Sequence, residues 1–343
     1  MKTTDNRLVE WAVEQAKTKY AGEIAILLEH NTYSLESDRS VRYVNTIISD
    51  AEPPVGLART FIINGIGYDF WQRSWESFER DAEAKSYFLT VLAQADILYA
   101  RSEADRQRFL YLRAKLMSNL ADFPYMYQRG LEWLSNAMEL YKTMAFETGI
   151  CKIRKAAGNI ADYLAVAVAC FNQTYFRGID HMAELRELRL IPERFLQDYE
   201  EMVEAKTERA LKEISFRMIQ AARDFFREKD TRKPLPTVPD YQYLAVWYQE
   251  CSYYFRRLYA YCGQNDASLA FQQAYKLQPD LDDLARDYQI DGLDVLSYFD
   301  AENLAAFARE AKKAETRIVD AIHAHKIPID AYDTVEDFLA QNL

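Results

Sequence analysis

The sequence predicts a mixed α/β amino-terminal part followed by an all-α remainder. Three observations carry that reading. Short β-branched and apolar runs are confined to the first hundred residues; from about Lys115 onward apolar residues recur almost only at three- and four-residue steps; and 343 residues contain just 10 glycines and 9 prolines, few breakers, which favours long helices. The implied division is an α/β part over residues 1–113, a helical bundle over 114–232, and a second helical unit over 233–343 that follows a proline-rich linker.

Each element has its local cause. Leu8, Trp11, Ala12, Gln15 and Ala16 lie on neighbouring turns and predict a helix over 7–20. Residues 24–28 form an apolar run bounded by Gly22 and a polar stretch, and 43–48 form a β-branched run; both read as strands. Asn64-Gly65 between two apolar runs marks a hairpin over 58–71. Helical spacing resumes over 74–86, a short strand follows at 95–100, and Ser102 caps a helix that begins at Glu103. Beyond it, Leu131, Leu134, Met138, Tyr141 and Ala145 form one stripe. Residues 156–176 are apolar nearly all round, and a single long helix is expected over 193–229. Three prolines within 233–239 exclude a helix there and mark the linker, read as a stiff connector. The stripe Tyr241, Leu244, Tyr248, Cys251, Phe255, Leu258 and Cys262 opens the last unit. Helices near 266–276, 280–288, 300–325 and 333–341 complete it.

Composition narrows the function classes. A net charge of −11 disfavours a nucleic acid as main partner, since phosphate neutralisation dominates such affinities. No apolar run is long enough to span a bilayer, and the first twenty residues lack an apolar signal core, so a cytoplasmic protein without a membrane partner is expected. Four cysteines at 151, 170, 251 and 262, without CxxC spacing, read as buried free thiols. The 24 tyrosines and 18 phenylalanines supply large apolar areas, many with a polar tip.

Four stretches, 58–80, 95–109, 157–176 and 332–339, resemble the bacterial nucleotidyltransferase-fold proteins related to aminoglycoside (kanamycin-type) nucleotidyltransferases, and the resemblance spans nearly the full length. It implies a nucleotidyltransferase-like mixed sheet followed by helices. In such enzymes two Mg²⁺ ions sit on three carboxylates, two of them an Asp-x-Asp on one strand and the third on a neighbour. Alternation along a strand aims residues two apart at one metal pair, and a preceding Gly-Ser lets backbone approach the triphosphate. Carried over without gaps, Gly-Ser falls on Glu29 and His30, and Ser-Asp-x-Asp falls on Ser40, Val41, Arg42 and Tyr43. Only the third carboxylate, Asp69, is retained. Glu36, Asp38 and Asp50 are nearby acids, and a shifted register would recruit Asp38 or Asp50 instead. The bland alternative for Asp69 is a turn cap or an ion pair with Arg59 or Arg73.

Other polar groups admit both a functional and a structural role. Asn172 to Tyr175 end the central helix and either line a cleft or cap the helix; Asn159 and Asp162 lie on adjacent turns of it, and Glu147 is the general-base candidate by family analogy. His323 and His325 diverge on a helix and read as solvent-exposed, and 280–287 is an acidic first helix turn rather than a calcium loop. The resulting expectation is a catalytically degenerate nucleotidyltransferase-fold protein, with no resident metal or cofactor, binding a small molecule or a protein partner in the former cleft. The alternatives are an active Mg-dependent enzyme that transfers a nucleoside monophosphate from ATP to a hydroxylated acceptor, and an interaction protein, such as a homodimer, built on the tyrosine-rich helices.

Overall fold

The computed structural model describes residues 6–29, 42–87, 89–177, 181–228 and 238–342, which gather into two compact units, Met1–Thr231 and Arg232–Leu343. The first unit joins a mixed sheet to a helical bundle. Its strands are β1 (Ile26–Glu29), β2 (Arg42–Ile48), β3 (Thr60–Ile63), β4 (Ile66–Arg73) and β5 (Asp96–Ala100), in the spatial order β3-β4-β2-β1-β5. β2 and β4 run parallel, and the other neighbours are antiparallel. The hairpin expected from Asn-Gly is present: Asn64 and Gly65 both have positive φ, 50° and 77°, as a two-residue turn matched to strand twist requires.

Helices cover both faces of this sheet. On one face, Ala12 and Ala16 of α1 (Asn6–Lys17) pack on Leu27, Ile47 and Phe70. On the other, Ile26, Leu28 and Ile48 meet Phe78 of α2 (Trp75–Ala82), Leu92 of α3 (Leu89–Gln94), and Phe109 and Leu116 of α4 (Glu103–Ala121). Met126 of α5 (Phe123–Phe146) and Cys170 of α6 (Ile150–Phe171) belong to that same sheet-side core. The helix expected over 74–86 is therefore the shorter α2, capped by Ser74 and ending at Ala82, and α3 follows it as a separate helix.

α5 and α6 form the spine of the bundle. They approach so closely at Gly130 that a β-carbon there would stand 2.7 Å from the Phe226 ring and 3.1 Å from the Ala167 carbonyl. α7 (His181–Leu185), α8 (Phe195–Glu204) and α9 (Glu208–Glu228) complete it. The single helix expected over 193–229 is thus two. Ala205 is extended, its carbonyl takes a hydrogen bond from Arg154 at 2.9 Å, and the Thr207 hydroxyl accepts from the Ala210 amide at 3.2 Å, restarting the helix.

The second unit consists of α10 (Tyr241–Gly263), α11 (Ala267–Tyr288), a 3₁₀ turn (Leu296–Tyr298), α12 (Leu304–Ala324) and α13 (Val335–Asn342). Its core is Leu244, Phe255 and Leu258 against Leu277, Leu281, Phe307 and Ile318. The two helices expected at 266–276 and 280–288 are one. Pro279 removes a backbone donor, but Leu277, Leu281 and Leu284 keep a common buried face across it. Most of the proline-rich linker, residues 233–237, lies outside the described residues. Within the core, the carboxylate of Glu315, 1% exposed, accepts from the hydroxyls of Tyr248 (3.0 Å) and Tyr259 (2.9 Å) and meets Lys312 (2.7 Å) and Arg256 (3.1 Å).

The cysteines differ from expectation. Cys170 and Cys262 are buried, but Cys251 is half-buried and Cys151 is exposed, because it falls on the outer side of the first turn of α6. No helix among the described residues is long and apolar enough to cross a membrane.

Candidate functional site

The sheet determines where acids can converge. Among the described strand residues the carboxylates are Glu29, Asp69 and Asp96. Leu27 packs toward α1, so Glu29, two residues on, points to that same face. Arg73 lies on the opposite face, where it makes a buried ion pair with Asp81 of α2 at 2.7 Å. Asp69, four residues earlier on β4, shares that face with it. Glu29 and Asp69 therefore lie on opposite sides of the sheet and cannot share a metal, contrary to what a common motif position implies.

Asp69 is half-buried and accepts a hydrogen bond from the Thr60 hydroxyl at 3.2 Å. Its Cα partners in register are Thr60 on β3 and Val44 on β2, neither of them acidic. The ion-pair alternative takes a different form: the carboxylate partner of Arg73 is Asp81, and the guanidinium of Arg59 lies over the Trp11 ring at 5.3 Å. Tyr43 falls opposite Tyr68 and Arg42 opposite Gly67. His30, Ser40, Val41, Glu36 and Asp38 lie outside the described residues. Asp50 is committed elsewhere, accepting the Trp75 amide at 3.0 Å at the start of α2. One feature sequence reasoning missed is that Glu29 is paired across strands with Asp96, and on its other side with the buried Asn45, whose Oδ1 has no hydrogen-bond partner among the described residues. That row depends on strand register, for which the sequence carries no local signal.

The helical candidates separate into two groups. Glu147 caps the end of α5 far from the sheet: Met126, in the sheet-side core, is roughly 30 Å away along the helix axis. Its carboxylate meets Lys152 at 2.9 Å, and that hydrogen bond holds it below the usual range. It is not placed as a base for chemistry at the sheet. Asn159 is exposed. Asn172 is a clamp, donating to the Val168 and Leu190 carbonyls at 2.8 and 2.7 Å and accepting the Leu190 amide at 3.0 Å.

Tyr175, by contrast, lines a recess together with His181, and Asp162 stands against that histidine. Asp162 Oδ1 lies 3.4 Å from Nδ1 of the buried His181, and the Tyr175 hydroxyl accepts from Gln94 at 2.9 Å. Between them the Tyr87 ring packs 4.6 Å from Trp133, 5.7 Å from His181 and 6.2 Å from Tyr163. The recess has a volume of ≈ 20 Å³, room for about one water. Burial pushes the Tyr87 hydroxyl up and the Cys170 thiol, which lines the same space, up to about 12, so both are neutral at physiological pH. Tyr87, Trp133 and His181 are distant in sequence, and no periodic pattern links them.

Among the described residues no three His, Cys, Asp or Glu side chains are grouped so that they could hold a metal ion. No family model matches the chain, and no curated protein does. Among solved structures, it is similar to a nucleotidyltransferase-like protein from Exiguobacterium sibiricum, with 11% identity and a TM-score of 0.35 over 64% of this chain and 75% of that one.

Proposed function

We propose that this chain is a nucleotidyltransferase-like protein that does not carry out two-metal nucleotidyl transfer and instead binds a small molecule or a protein partner. One observation carries the reading: Asp69 has Val44 and Thr60 as its strand neighbours, and the nearest motif-position acid, Glu29, points to the other face. Two-metal transfer calls for several carboxylates around one ion pair, and Mg²⁺ is held by carboxylates plus substrate phosphates. Among the described residues, the donors on the Asp69 face do not fit that requirement. Val41 and Tyr43 at the Asp-x-Asp positions, and Glu29 where a triphosphate needs bare backbone, support the same conclusion. The test is calorimetric titration with ATP, with and without Mg²⁺. The expected result is no Mg²⁺-dependent binding; Mg²⁺-dependent binding that disappears in Asp69→Ala would overturn the proposal.

A second reading, an interaction protein, draws support from the exposed aromatics of the helical part. Phe146 is 89% exposed, and Phe216, 53% exposed, packs with Tyr141 at 5.9 Å. Light scattering coupled to size exclusion tests self-association, and a monomer that stays monomeric at high concentration rules out the homodimer.

A further inference from the structure

The second unit contains a groove of its own. It has a volume of ≈ 330 Å³, within the range of small-ligand sites, and lies between the start of α10 and the end of α11. Leu284 and Tyr288 form its floor, Tyr243 and Trp247 its aromatic wall, and Asp280, Asp283 and Asp287 line the α11 side. We propose that this groove binds a linear aliphatic amine carrying two or more protonated nitrogens.

Three independent features select that ligand class. The first is the wall: indole and phenol faces attract ammonium groups and also pack against methylenes. The second is the spacing of the acids. Positions 280, 283 and 287 share one helix face with axial separations of about 4.5 and 6 Å, which suits nitrogens joined by short methylene spacers. The third is the state of the charges. Asp283 and Asp287 each meet Arg286 at 2.8 Å, and the Asp240 side chain is occupied capping α10 through the Gln242 and Tyr243 amides. Asp280, half-buried at the groove, makes no ion pair or side-chain hydrogen bond among the described residues. Among the described residues one arginine stands against four carboxylates at the groove, and Asp280 is the anchor left for an incoming cation. This site is independent of the sheet, so it stands or falls separately from the loss of nucleotidyl transfer.

The test is calorimetric titration of the full chain with spermidine at low ionic strength. The expected result is saturable binding that weakens with added sodium chloride, as screening requires. It should fall at least tenfold in Asp280→Asn and in Trp247→Ala, with circular dichroism confirming that both variants are folded. The charge control is Glu302→Gln, exposed just before α12. Because His325 at the far end of α12 stacks on Tyr241, Glu302 lies roughly 30 Å from the groove. No binding, or an equal loss in Glu302→Gln, would overturn the site. Tighter binding of calcium chloride than of spermidine, unaffected by Trp247→Ala, would overturn the organic-cation assignment.

Discussion

Replacing Glu315 with alanine tests how the second unit is held together. The carboxylate takes hydrogen bonds from two tyrosine hydroxyls that are themselves half-buried, while its cationic partners, Arg256 and Lys312, are more than half exposed. Charge-assisted bonds of the first kind are worth about 1.5 kcal/mol or more each, whereas exposed cations contribute at most about 1 kcal/mol. Adding the one lost methylene at about 0.8 kcal/mol, Glu315→Ala should destabilise the unit by about 4–5 kcal/mol. Most of that cost is the stranding of hydroxyls. The triple variant Glu315→Leu, Tyr248→Phe, Tyr259→Phe, with no polar group left behind, should therefore recover most of the stability. The assay is hydrogen exchange of α10 and α12 peptides across a urea series, which reports this unit alone. A loss below about 1 kcal/mol in Glu315→Ala, or a triple variant as unstable as the single one, would refute the reasoning.

Further outcomes follow from the same contacts. Burial pushes the Glu315 carboxyl up, but hydrogen bonds from Lys312, Tyr259 and Tyr248 and the charge of Arg256 outweigh it and hold the group below its ordinary value. Its contribution is thus present above the ordinary carboxylate range and is lost as pH falls through the depressed value. Protection of α10 and α12 should decline on acidification in the native chain and vary less with pH in Glu315→Gln. Gly130→Ala should cost about 1–3 kcal/mol by overpacking against Phe226 and the Ala167 carbonyl, read as a lower thermal midpoint. Thiol titration at pH 8 should modify Cys151 rapidly and leave Cys170 untouched until the fold opens. Asn172→Ala should cost about 1–2 kcal/mol and speed proteolytic cleavage near Leu190, whose amide and carbonyl it holds.

What the sequence made legible was whatever has a local cause. Asn64-Gly65 announced its hairpin because only a left-handed pair of residues closes a two-residue turn there. The stripe from Leu244 to Cys262 announced α10 because one face is buried throughout. Periodicity alone missed the break at 205–207, since Phe195 to Phe225 keep an apolar stripe across it and Thr207 gives only a weak stop. It failed in the opposite sense at Pro279, where packing on both sides outweighs one missing backbone donor. For the candidate site, residue identity located Asp69 but not its surroundings. That Glu29 faces away, that Asp96 stands beside it, and that Glu147 lies at the remote end of α5 all depend on register and helix length in three dimensions. The encounter of Asp162 with His181 is similarly invisible along the chain.

The presence of Met126 and Cys170 in the sheet-side core bears on how the chain is made. The five strands among the described residues have been synthesised by residue 100, yet two of the side chains that fill the space above Ile26 and Ile48 come from α5 and α6, much later in translation. A nascent sheet emerging from the ribosome is therefore a lidless box, with apolar surface waiting for helices still to be synthesised. A fragment ending at residue 113 would keep that opening permanently, and chaperone dependence or aggregation of such a fragment is the expected signature.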